Sequence, residues 1–244
     1  MKRAVLVAMM ATAAAAVGAG TAAHAEDATP LPPVGEVVQK ARAVMDKKPE
    51  RVVCQVRIET QLLDKAGKLE HQEEREAKAT FDGDKQDLES TRVVRDGKAL
   101  TADELKSERD KAKKQHDKSK KSDDDDFDLS PLAAKNAPQE QFELLRKETL
   151  WGRPTFVLKV KANKAASTLA NGTIWVDAEK FIELKGDLQP AAMPPHADWV
   201  KVQEQYVMGP KDVPMPSFVH IEGGGHFLFM RKTFKTTLRW SDCR

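Results

Sequence analysis

The chain has 244 residues, 32% of them charged and 6% aromatic, with 40 Lys+Arg against 38 Asp+Glu and two cysteines. That length suffices for one domain with a sizeable core, or for two very small ones. The near-balance of charge excludes the global basic field that nucleic-acid binding requires.

Lys2 and Arg3 precede an almost unbroken apolar run at 4–17, and Ala23-His24-Ala25 places small residues at both positions a signal peptidase reads. Residues 1–25 are therefore predicted to be a secretory signal peptide, cleaved before Glu26. About 14 apolar residues fall short of the roughly 20 that a span needs. No second run of that length follows, so the processed chain is expected to be soluble and not membrane-spanning. No cysteine adjoins the cleavage site, Lys2-Arg3 is not a twin-arginine pair, and the short Ala-rich signal points to a bacterial periplasm. Without the signal, 38 Lys+Arg face 38 Asp+Glu, a formally neutral chain.

Residues 26–34 read as a Pro-containing leader without periodicity. Val37, Val38, Ala41, Val44 and Met45 then form one apolar stripe, predicting a helix over 34–48 that Pro49 stops. In RVVCQVRIETQLLD the even positions Val52, Cys54, Val56, Ile58, Thr60 and Leu62 alternate with Gln55, Arg57, Glu59 and Gln61, the pattern of a strand with one apolar face. A turn at DKAGK, a polar return strand over 69–81 and a third strand over 87–95 follow, ending at Asp96-Gly97.

Thr101 and Glu104 have the spacing of a capping box. Beyond them KSERDKAKKQHDKSKKSDDDDFD has almost nothing to bury, so 101–128 reads as a charged insertion, either a solvated helix or disordered. Its four adjacent aspartates lack the spaced ligands and glycine of a calcium loop.

Strands resume at Gln141. FELLRKETLWGRPTFVLKVKA reads as a hairpin about Gly152-Arg153-Pro154, and GTIWVDAEKFIELKGDLQP as two short strands with a turn near Asp177. A Pro-rich loop leads to a strand over 199–208, Pro210, Pro214 and Pro216 mark a second loop, and a strand over 218–222 reverses at Gly223, Gly224 and Gly225 into the last strand. In that strand Phe234, Thr236, Leu238 and Trp240 alternate with polar residues. Phe227-Leu228-Phe229-Met230 is apolar on both faces, as a buried segment or the lining of a ligand cavity would be.

Cys54 and Cys243 allow one intramolecular pairing, which would tie the first strand to the last. In the chain-entropy picture such a closure stabilises by up to about 5 kcal/mol; the alternative is two unpaired thiols. The expected fold class is mainly β, with about nine or ten strands. It would be a curved open antiparallel sheet, an incomplete β-barrel, wrapped over the N-terminal helix.

The order of CQVRIETQLLDKAGKLEHQEE, DGKALTADEL, LWGRPTFVLKV, GTIWVDAEKFIELKGD and RKTFKTTLRWSDCR resembles the bacterial outer-membrane lipoprotein carrier (LolA-like) family over roughly residues 35–244. The resemblance implies a single LolA-like domain over 35–244, an incomplete barrel closed by helices, and an apolar cavity for acyl chains of lipids or lipoproteins. The charged insertion at 101–128 departs from the family pattern and leaves a second role open, a contact with an envelope protein partner or stress sensing. Under the resemblance the expected lipid-binding residues are Val56, Ile58, Leu62, Phe156, Leu158, Trp175, Phe227, Phe229, Phe234 and Trp240. No catalytic residue carries over, since the family has none.

The sequence has no G-x-S-x-G, Walker loop or G-x-G-x-x-G, so neither enzyme nor cofactor is expected. His220 and Glu222 share a strand face, with His226 across the turn. They lack a fixed metal-binding spacing, and no metal site is expected. Asp177 reads as a turn carboxylate rather than a general acid.

Overall fold

Residues 30–119, 129–227 and 230–244 are described by a computed structural model; the expected signal peptide, part of the leader and 120–128 lie outside them. Helix α1 (Val34–Met45) buries Val37, Val38 and Ala41 on one stripe and has no side-chain N-cap. A cap is worth about 1 kcal/mol, whereas burying a valine contributes up to about 2 kcal/mol. Packing therefore outweighs capping here. The helix ends at Met45, before the expected Lys48.

The strands are β1 (Val52–Leu63), β2 (Leu69–Asp82), β3 (Lys85–Arg95), β4 (Lys98–Ala99), β5 (Glu140–Leu150), β6 (Arg153–Ala162), β7 (Ala170–Asp177), β8 (Glu183–Pro190), β9 (Ala197–Met208), β10 (Pro214–Phe227) and β11 (Met230–Ser241). They form one 11-stranded antiparallel sheet in the order β4-β3-β2-β1-β11-β10-β9-β8-β7-β6-β5. β4 and β5 are free edges, so the sheet is open. The last strand lies beside the first in its middle, where a disulfide joins Cys54 to Cys243 across a sequence separation of 189.

Residues paired across strands share a face. Ile58, Leu238, Val219, Glu204, Gly186, Ile174 and Leu158 form one continuous row from β1 to β6. This inner face packs on α1 through Phe156, Leu158, Val160, Ile174, Val176, Leu188, Val200 and Val202. The sheet thus wraps over the N-terminal helix, as the alternation of its strands predicts.

Helix α2 (Ala102–Ser119) begins at the capping box. Thr101 N–H and Oγ1 donate to Glu104 Oε2 at 2.8 and 2.9 Å. Its contacts with β3 are polar: Arg109 Nε donates to Ser90 O at 2.6 Å, and Glu108 lies 3.7 Å from Arg95.

Two expectations for β10 need correction. Pro214 and Pro216 belong to the strand rather than to a loop, and the pairing is irregular between Pro216 and Phe218; a proline, lacking a donor, is tolerated at such a bulge. Gly223, Gly224 and Gly225 also lie within β10, paired to β9 and β11. The reversal comes after Phe227.

Candidate functional site

The two helices cover different parts of the inner face. α1 seals the apolar floor of β5 to β9. On β2 and β3 the inner face is apolar at Ala77, Ala79 and Val93 and ionic around Glu73, where α2 lies over it. There Arg75 and Arg95 each approach Glu73 within 2.7 Å, and Arg75 also donates to Ser90 Oγ at 3.0 Å. Burial opposes charge on Glu73, but hydrogen bonds from Arg75 and Arg95 outweigh it and hold its carboxyl below the ordinary range.

Between these zones lies a mostly apolar strip, crossed by the Thr60–Thr236 pair, whose Oγ1 atoms are 3.4 Å apart. Ile58 and Leu62 of β1, Phe234 and Leu238 of β11, and Val219 and Ile221 of β10 share the inner face and are half-buried. The strip deepens into a pocket of about 430 Å³ whose lining includes Val200, Ile221 and Phe234, the loop residues Pro194, Pro195 and His196, Ala197 at the start of β9, and Lys232 and His226. Pockets of this size hold small ligands, and a mostly apolar lining selects apolar ones. The loop is tied to the sheet by the His226 N–H, which donates to His196 O at 3.1 Å. Polar groups at the rim have partners: Lys232 pairs with Glu70, and Asp198 lies 2.8 Å from His226 Nδ1 and 3.8 Å from Arg231 Nε.

Eight of the ten expected lipid-binding residues separate into three groups. Ile58, Leu62 and Phe234 lie along the strip, with Leu62 opposite Phe234, whereas Trp240, opposite Val56, packs against the core around Cys54, Met215, Ala77 and Ala79. Val56, Phe156 and Leu158 are core residues, the first packed with Ala77 and Ala79 and the others under α1. Trp175 is on the outer face, opposite Val157 and Lys185. Its indole N–H donates to Glu148 Oε1 at 2.7 Å, and Lys185 Nζ stands 4.3 Å from the ring centroid. That N–H, followed by Arg146, holds the Glu148 carboxyl below its ordinary pKa. Phe227 ends β10 opposite Met230, and Phe229 lies outside the described residues. Sequence reasoning missed Val200, Ile221 and the 194–196 loop. The alternation of Val200 and Val202 on β9 was the available signal.

The residues weighed for chemistry have structural partners. Asp177 is 2% exposed and accepts the N–H groups of Glu179 and Lys180 at 2.9 and 2.7 Å, with Arg153 at 2.8 Å. His220 meets Thr237 at 2.9 Å and Glu222 meets Lys235 at 2.9 Å. Among the described residues no group of three or more His, Cys, Asp or Glu is placed to hold a metal ion. No described helix is long and apolar enough to cross a membrane.

No protein-family model matches the chain, and no curated protein matches it by sequence. Among solved structures it is similar to a LolA superfamily protein from Nitrosomonas europaea, 12% identical with a TM-score of 0.41, covering 88% of this chain and 94% of that one. A DUF1329 family protein from Desulfovibrio piger is 11% identical with a TM-score of 0.40, covering 88% and 93%. The MucA/MucB complex of Pseudomonas aeruginosa is 11% identical with a TM-score of 0.27, covering 84% and 94%.

Proposed function

We propose that this chain is a non-enzymatic binding protein of the bacterial periplasm that holds an acyl chain of a lipid or lipoprotein on the inner face of its sheet. One observation carries the reading. The half-buried strip of Ile58, Leu62, Phe234, Leu238 and Ile221 runs into a pocket of about 430 Å³ with an overwhelmingly apolar lining. Burying roughly eight methylenes there would gain about 6 kcal/mol, a dissociation constant on the order of tens of micromolar. Such binding is reversible, which suits a protein that accepts and releases its cargo.

The test is native mass spectrometry of residues 26–244, purified from the periplasm without detergent and titrated with a palmitoylated lipopeptide. A saturable one-to-one adduct, absent with the unacylated peptide, supports the reading. A bare mass at every concentration refutes it.

A second reading, contact with an envelope protein, is favoured by α2, whose residues Lys106, Asp110, Lys111, Lys113 and Lys114 all face solvent. Deleting 101–128 separates the two, since acyl binding should survive and a partner contact made by the insertion should not.

A further inference from the structure

The run Gly223-Gly224-Gly225 is unusual for the middle of a strand, because glycine there weakens the strand and usually marks a close approach. None of the three is at positive φ, so the chain needs their small size rather than their conformational freedom. The Cβ that Gly223 lacks would lie 2.5 Å from Phe234 Cε1 and 2.6 Å from its Cζ. Carbon atoms in favourable contact sit at about 3.5–4.0 Å. The Phe234 ring therefore lies directly against the backbone of β10, in space any other residue would fill. Gly224 does the same on the opposite face, where its Cβ would meet Trp199 Nε1 at 2.5 Å.

The two aromatic residues differ in one respect: Phe234 lines the apolar pocket and Trp199 does not. We propose that Gly223 sets the depth of this pocket by seating Phe234 against the strand, and so determines the length of acyl chain the pocket accepts. The inference rests on the acyl-binding reading above. A methyl group at position 223 has sheet behind it and the Phe234 ring in front. The ring moves off the strand, and the volume it moves into belongs to the end of the ligand chain. Short chains stop before that point and are unaffected. Long chains lose contact with the floor.

The experiment compares decanoate, myristate and palmitate, titrated by isothermal calorimetry into the wild type, Gly223→Ala and Gly224→Ala. Gly224→Ala forces an aromatic side chain off the same strand outside the pocket, and so controls for damage to β10. Affinity in the wild type is expected to rise with chain length. Gly223→Ala should weaken palmitate about ten-fold, the equivalent of roughly two methylenes, while decanoate stays within about two-fold; Gly224→Ala should keep the wild-type profile. Equal weakening of all three acids by Gly223→Ala, or none, overturns the inference. So does a Gly224→Ala profile matching that of Gly223→Ala. Should Gly223→Ala fail to fold, Phe234→Leu leaves the backbone alone and should raise the palmitate-to-decanoate affinity ratio about three-fold, near the worth of one methylene; an unchanged ratio overturns the inference. A wild type that binds none of the three acids refutes the acyl-binding reading itself.

Discussion

At the scale of single residues, burial and pairing separate groups that hold the sheet from groups left available for a ligand. Glu73, 18% exposed, bridges Arg75 and Arg95 under α2. Its carboxyl is held below its ordinary pKa, so its contribution to stability is present above the ordinary unfolded value and lost as pH falls through the lower folded value. Glu73→Gln is accordingly expected to cost about 1–2 kcal/mol at neutral pH. The gap from the wild type should close as urea melts are repeated at successively lower pH. A gap that stays constant would mean the charge is not what stabilises. Trp175 provides a contrasting case. Ile174, Trp175 and Val176 are all apolar, so alternation alone could not choose which of them faces inward. Their cross-strand partners decide it: Ile174 and Val176 are buried, and Trp175 faces out to Glu148 and Lys185. Trp175→Ala should leave palmitoyl-lipopeptide affinity within about two-fold, well under the 1.4 kcal/mol that a ten-fold change would need; a larger loss would place the ligand on the outer face.

At the scale of elements, legibility followed the strength of local patterns. β1 could be read from its alternation, because its inner residues are apolar and its outer ones polar throughout most of its length. α2 could be read from Thr101 and Glu104, since a capping box is a local arrangement that needs no tertiary partner. Thr101→Ala should reduce the helicity of α2, destabilising the helix start by about 1 kcal/mol, measurable by hydrogen exchange of the amides following residue 104. Exchange unchanged from the wild type would mean the contacts to β3 hold the helix alone. β10 was legible only over 218–222, and its two ends were missed for the opposite reason. Two prolines and three glycines are breaker signals by local chemistry, yet a bulge accommodates Pro216, and the glycines make room for Phe234, Trp199 and the 194–196 loop. A glycine run marks a close approach and a turn alike, and only the tertiary structure tells which. The pocket was half-legible on the same principle. Phe234 and Leu62 stood out as apolar alternates of their own strands, whereas Val200 and Ile221 join them only through the strand order.

At the scale of the whole molecule, the sheet places the first and last long strands side by side and links them through Cys54 and Cys243. Arg244 continues that closure, exchanging backbone hydrogen bonds with Val53 at 2.9 and 3.0 Å. Replacing both cysteines by serine should cost about 2–5 kcal/mol in urea unfolding, since the closed loop spans nearly the whole described sheet. A loss below that range would mean β1–β11 pairing alone suffices to hold the ends. The inner face is thereby kept as one surface with three zones: apolar core under α1, ionic network under α2, and a half-buried apolar strip between them. An open sheet with a strip left half-buried among the described residues suits the acyl-chain binding proposed above. The most direct measurement is photo-crosslinking with a palmitoyl lipopeptide carrying a diazirine near the chain end, followed by peptide mapping. The account predicts adducts concentrated on the peptides that contain Val200, Ile221 and Phe234. Adducts confined to the outer-face peptide around Trp175, or no saturable adduct at all, would contradict it.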